Sequence, residues 1–330
     1  MLVQVRPPAR DHAPARLALL TGVAALLATS SAGADGGPGR PEPTLAEAQA
    51  LLPTVTACTS VPCLLEAGYA ADPAARALAL ALWRDRGDVA GVGPREIMDG
   101  GYRGKITLVP QLPSGRYRTH LAWTSAALRS FDDFFARLYA TRPGAAPPTP
   151  PAYRWRGLQL RFVRSVGKRT PSAYAFGWVV EYNVRGSLMV SAERVRETLF
   201  HELFHNNDVA HRGWSLRVLA DDYAAIVARC GTRSSCLAPY APGTTKVRAT
   251  GTYYAFQPGN GDGVNEYGAE LAVRYWQEQT EMLERGRLRR PAFKCGPVEN
   301  ARSWKALVDE FFAGRDLVPP CGAGAGAGRG

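Results

Sequence analysis

The chain has 330 residues, 46% hydrophobic and 21% charged, which excludes a disordered or fibrous protein and leaves room for one large core or two smaller ones. Its net charge is +11, but the basic residues are scattered instead of blocked. That suits a polyanionic surrounding or simply a solvated basic surface, and no nucleic-acid-binding module is visible.

The N-terminus reads as a targeting segment. Arg6, Arg10 and Arg16 lead into an apolar stretch at 17–28, and Ala32-Gly33-Ala34 has the small-x-small form that a signal peptidase needs. A secretory signal over 1–34 is expected, its loss removing three Arg and one Asp and leaving +9. The apolar part is too short for a spanning helix, so no stable membrane insertion is expected after cleavage. The alternative is a short membrane anchor.

Residues 35–100 read as an N-terminal helical segment, with a flexible lead at 35–43 and helices at 44–52 and 73–86. The main domain is expected over 101–321. It opens with a strand at 105–109 and a helix at 121–140, whose apolar side carries Leu121, Leu128, Phe131, Phe135 and Leu138. A Pro-rich connection follows at 141–154. Strands are predicted at 158–165 and at 174–184, the latter with Phe176, Trp178, Val180, Tyr182 and Val184 on one face. A short extended piece, 187–191, precedes the helix that holds His201. Further helices are predicted at 215–229, 264–285 and 301–313, and residues 322–330 form a disordered Gly/Ala tail. The order is α+β: a small mixed sheet, an active-site helix, then a helical C-terminal subdomain.

Six cysteines, an even number, agree with export. Of the fifteen pairings possible for six cysteines, 58–63, 230–236 and 295–321 is our choice, because two pairs bracket turn-like stretches. No C-x-x-C is present, which argues against a redox motif or a thiolate zinc knot.

Three of the five histidines fall in "HELFHNNDVAH", 201–211. His201-Glu202-Leu203-Phe204-His205 is H-E-x-x-H, and 3.6 residues per turn puts both imidazoles on one helix face with Glu202 beside them. Val195, Leu199, Phe200, Leu203 and Phe204 make the helix apolar enough to be buried, where His and Glu are costly unless something satisfies them. A zinc ion would take both imidazoles and acidify its water, with Glu202 as proton acceptor. The plainer alternative is a core His pair with a surface Glu.

The segment resembles the active helix of a zincin metallopeptidase, over this helix and its surroundings. The resemblance implies a third ligand, and two candidates remain. His211 lies ten residues after His201, as in the metzincin pattern, but that pattern's Gly is Asp208 here and its Met-turn is missing. In "NEYGAE", Glu266 and Glu270 resemble the gluzincin arrangement. It implies Glu266 as the ligand and Glu270 as the acid that orients a ligand His. The same stretch is similar to toxin-type zincins, though the 61 residues from His205 to Glu266 are many for the thermolysin type. The resemblance to toxin-type zincins also implies an oxyanion donor, for which Tyr254 is chosen over Tyr253. Asp208 is expected to support the site, and His211, if Glu266 is the ligand, to be a substrate-side residue or to pair with Asp208. Strand addition of substrate along 174–184 or 187–191 is implied as well. Together these lead to an expected secreted, extracellular or periplasmic, zinc endopeptidase acting on peptides or proteins. The other readings are a zincin-fold binding or toxin-like effector protein with narrow or no peptidase activity, and an envelope protein whose zinc only holds the fold.

Overall fold

A computed structural model describes residues 42–100, 104–140, 152–247, 250–258 and 262–322. The expected signal at 1–34, most of the Pro-rich connection and nearly all of the Gly/Ala tail lie outside these residues. The fold is α+β. Helices α1 (Leu45–Leu51), α2 (Val61–Gly68) and α3 (Pro73–Arg86) come first. Each starts on a side chain that accepts from the first turn. Thr44 and Glu47 form a capping box, Ser60 takes Cys63 N, and Asp72 takes Ala75 N ahead of Pro73.

Strands β1 (Val89–Val92), β2 (Glu96–Asp99), β3 (Lys105–Pro110), β4 (Gln159–Ser165), β5 (Ala173–Phe176) and β6 (Val179–Asn183) form one mixed sheet. It is ordered β2-β3-β4-β6-β5, and β1 also pairs with β4. β4 pairs in parallel with β6 over 159–163. On its other edge it takes β1, parallel, over 159–162 and β3, antiparallel, over 163–165. The sheet thus draws strands from both sides of residue 100.

The strand expected over 174–184 is two strands. Gly177 and Trp178 both have positive φ, 54° and 69°, and make the tight turn between β5 and β6. Phe176 therefore lies opposite Val179, and Phe176 and Val180 fall on opposite faces. The stretch 187–191 is turn, not strand. β1, β2 and α2 were not anticipated from the sequence.

Between β3 and β4 runs α4 (Arg118–Leu138), with Leu121, Leu128, Phe131, Phe135 and Leu138 all buried as expected. After the sheet come α5 (Ala192–Ala210), α6 (Trp214–Val218), α7 (Ala220–Cys230), α8 (Ser234–Leu237), α9 (Gly263–Arg285) and α10 (Val298–Phe311). The helix expected at 215–229 is thus split at Leu219. The three disulfides are 58–63, 230–236 and 295–321, the pairing expected. They suit an oxidising, extracellular-type environment. Among the described residues no helix is long and apolar enough to cross a membrane.

One aromatic cluster fixes α5 between α4 and α9. Phe200 meets Phe131 at 5.2 Å, Trp276 at 5.3 Å and Tyr153 at 5.5 Å between ring centroids. One turn on, Phe204 packs against Phe311 at 5.3 Å and Trp214 at 6.2 Å. Burying rings of this size sets the helix's rotation, and so decides where the neighbouring His201 and His205 point.

Candidate metal centre

His201 and His205 present their Nε2 atoms to each other at 3.0 Å. Glu266, in the first turn of α9, brings Oε2 to 3.2 Å from His201 Nε2 and Oε1 to 3.9 Å from His205 Nε2. Donor atoms of the three residues all lie within 4.8 Å of one another, and each residue is at most 3% exposed. This group could hold a metal ion. Two nitrogens and a carboxylate converging in a buried spot otherwise leave polar atoms unmatched, and Glu266 Oε1 has no hydrogen-bond partner.

The surroundings are organised around these three. Glu270, one turn after Glu266, places Oε1 3.4 Å from His201 Nδ1. The loop at Pro242–Thr245 lies directly over it. A Cβ on Gly243 would come within 1.7 Å of Glu270 Oε2, so a side chain there would push the Glu270 carboxylate from its place. The Tyr254 side chain hydrogen-bonds to Glu266, and its ring lies 6.1 Å from that of His201.

Charge is distributed unevenly in the cluster. Burial works against ionised Glu266, but its hydrogen bond with His201 and the charges of His205 and His201 hold its carboxyl below the usual range. Burial likewise opposes an imidazolium at His201, and contacts with Glu266 and Glu270 overcome it and raise the pKa. His205 is driven down to about 4 by burial. Burial pushes Glu202 up to about 8.

Glu202 is 1% exposed, and its Oε1 has no partner among the described residues. It flanks the His pair on the side facing the β5–β6 turn. Asn206, one turn later, shows this: its Oδ1 accepts from Trp178 N at 3.1 Å and its Nδ2 donates to Val179 O at 3.4 Å. β5, the end strand of the sheet, packs on α5. Asn207, the next residue, adds a second anchor, accepting from Arg154 N at 2.7 Å and donating to Arg154 O at 2.8 Å. Neither Asn was singled out from the sequence. The available signal was two adjacent poor helix formers inside an apolar helix, where each needs a partner.

The remaining candidates sit apart from the three donors. Asp208 accepts from Ser215 N at 2.6 Å and so braces the connection from α5 to α6. The helix runs past it to Ala210, and the left-handed residues that reverse the chain are Arg212 and Gly213. His211 caps α5, with Nδ1 2.6 Å from Glu310 Oε1 and its ring against Phe311 at 4.7 Å. The group that could hold a metal ion does not include it. The chain matches no family model, no curated protein and no solved structure.

Proposed function

We propose that the protein is a secreted zinc metallopeptidase of the zincin kind, with His201, His205 and Glu266 as ligands. Two imidazoles and one carboxylate are the donor set of catalytic zinc in a three-ligand site. The unmatched Glu266 oxygen is an atom that a cation would satisfy. Zinc supplies a Lewis acid that polarises a peptide carbonyl and makes an adjacent water more acidic.

The observation that carries the reading is Glu202: a buried carboxyl with an unpartnered oxygen, next to the three donors and not one of them. A site that only holds the fold has no use for it. Beside a bound cation an ionised Glu202 would take a proton from water and release it to a leaving amine. Glu270, 3.4 Å from His201 Nδ1, would orient that ring, and Tyr254, beside Glu266, would turn its hydroxyl to a developing oxyanion. The outer edge of β5 has no strand partner among the described residues and offers an extended peptide a pairing surface above α5. The signal-like N-terminus and the three disulfides support export.

One observation favours a second reading, a zincin-fold binding protein or effector: His201, Glu202, His205 and Glu266 are all closed off from solvent. Glu202→Gln separates the two. It keeps the shape of the side chain and leaves every ligand in place, so zinc content stays at about one per chain. Casein digestion falls by at least about a hundredfold, the loss of a general base. Equal digestion by both proteins, or none by either, would overturn the peptidase reading.

A further inference from the structure

The β5–β6 turn is built in a way that a hairpin alone does not require. Gly177 and Trp178 lie between the paired residues Phe176 and Val179, both with positive φ. Such a two-residue turn favours Gly, Asn or Asp at both places, and a bulky side chain at the second is strained there. The strain is met from outside the hairpin. Asn206 Oδ1 accepts from Trp178 N at 3.1 Å, and Gln159 N donates to Trp178 O at 3.0 Å, so both backbone groups of Trp178 are engaged. The Arg154 guanidinium covers the ring at 4.2 Å. It is steadied by donating to Arg156 O at 2.9 Å and Gly157 O at 2.8 Å, and Asn207 takes both backbone groups of Arg154. Asn206, Trp178, Arg154 and Asn207 thus close a ring of contacts.

Half of that ring belongs to α5. Asn206 and Asn207 are buried, two poor helix formers in an apolar helix. Asn206 lies one turn after Glu202, on the same side of the helix. Its bond to Trp178 N therefore fixes where the end of β5 stands relative to Glu202 and the three donors. A Gly at 178 would make the turn with no such tie. β5 is also the strand that packs on α5, and its outer edge has no strand partner among the described residues.

We propose that Asn206 is a positioning residue. It holds the β5–β6 turn, and through it the edge strand, at the height above α5 where an extended peptide paired with β5 meets Glu202 and the metal donors. This rests on the peptidase reading and adds to it the residue that sets where the substrate lies. Asn206 acts through Trp178 and touches no substrate. Its loss removes alignment and leaves the chemical groups in place, and misplacing a substrate by about 1 Å can weaken its reaction about a hundredfold.

Two probes separate alignment from the metal centre. Acetohydroxamate reaches a bound zinc and is too short to pair with a strand. A hydroxamate carried on a capped pentapeptide of Ala and Val reaches the zinc and pairs with β5 as well. Binding of each to zinc-loaded protein is measured by calorimetry, so turnover is not needed. We expect the peptide to bind more tightly, Asn206→Ala to remove about tenfold or more of that advantage, and acetohydroxamate binding to stay as it was. In a Trp178→Gly background, where the turn needs no tie, Asn206→Ala should remove nothing further. Where Asn206→Ala does not fold, Asn206→Ser, too short to reach Trp178 N, takes its place. Equal losses on both probes would make Asn206 structural only and overturn the proposal. So would a peptide advantage that survives the substitution, or the same loss in the Trp178→Gly background. Casein digestion by the unmodified protein reports on the peptidase reading separately. Digestion without an Asn206-dependent peptide advantage removes only the positioning role, and that advantage without digestion removes only the peptidase. If the unmodified protein binds neither probe, both fall.

Discussion

Two buried ionic clusters in this molecule look alike at first and differ in one respect. In the first, the guanidinium of Arg86 reaches Asp88 at 2.6 Å, Leu128 O at 3.0 Å, Trp155 O at 2.5 Å and, most closely, Asp132. Asp88 also accepts from Leu158 N, and Asp132 from the Trp155 indole and Arg156. No polar side-chain atom of Arg86, Asp88 or Asp132 is left over. In the second, His201, His205, Glu202 and Glu266 are as deeply buried, yet an oxygen on each Glu goes unmatched. The first cluster is complete with what the chain supplies. It ties α3, α4 and the start of β4 together and has nothing to do with a ligand. The second leaves oxygens that a cation could satisfy, which is the difference between a complete network and a candidate site.

The largest effect expected from breaking this contrast is at Glu266. Glu266→Gln removes the only charged donor of the three, and after dialysis the metal content should fall to background. His211→Ala, which loses only the contact with Glu310, should keep about one metal per chain. The reverse ranking in metal analysis would move the site to His211. At the complete cluster the loss should appear in stability instead. Arg86→Met strands buried Asp88 without its cation and leaves Asp132 only Arg156 and the Trp155 indole, which costs about 3–5 kcal/mol. Denaturant unfolding should show that loss with metal affinity unchanged; a loss below about 1 kcal/mol would mean that the network adds little.

The two clusters were not equally legible in the sequence. His201, Glu202 and His205 share one helix, and Glu266 and Glu270 share another, so the 3.6-residue period exposes both halves of the site. Arg86 bonds to residues 42, 46 and 69 positions away, and no local pattern links them. The sheet shows the same division. β4 alternates and was read correctly. "VAGV" of β1 is a short parallel strand buried nearly throughout, so it has no alternation to read. The β5–β6 turn was missed because Trp178, a bulky residue, occupies a left-handed position where Gly, Asn or Asp is the usual sign. Its ring, under the Arg154 guanidinium at 4.2 Å, and Asn206 on its backbone stabilise that conformation. Neither partner is near in sequence.

A smaller effect belongs to the rim of the site. Glu270 touches only the far nitrogen of His201, so Glu270→Ala should leave the three donors in place and weaken metal binding roughly 10–100-fold. Competition with a chelator of known affinity measures it. No change would mean that the Gly243 loop, not Glu270, holds the ring.

The smallest effect comes from a third buried acid, intermediate between the two clusters. Glu181, in the middle of the sheet, is 1% exposed with an unmatched Oε1, like Glu202, but no group of metal donors surrounds it among the described residues. Gly93 lies so close that a Cβ there would fall 2.1 Å from Oε1. Burial outweighs the nearby Arg161 charge, so the carboxyl keeps its proton. Burial pushes its pKa from 4.5 up to about 8, Arg161 opposing and Glu96 adding to the shift. The folded chain then binds this proton more tightly than the unfolded chain does. Stability from this position is greatest below pH 4.5 and is lost as pH rises towards 8. Glu181→Gln cannot ionise and should escape that loss. Melting temperatures of both proteins at acid and alkaline pH should show the variant gaining on the unmodified protein as pH rises, by roughly 2–8 °C if about 1–2 kcal/mol is recovered. Parallel curves would mean that Glu181 ionises freely in the fold, and that an unmatched buried oxygen is by itself no sign of a missing cation.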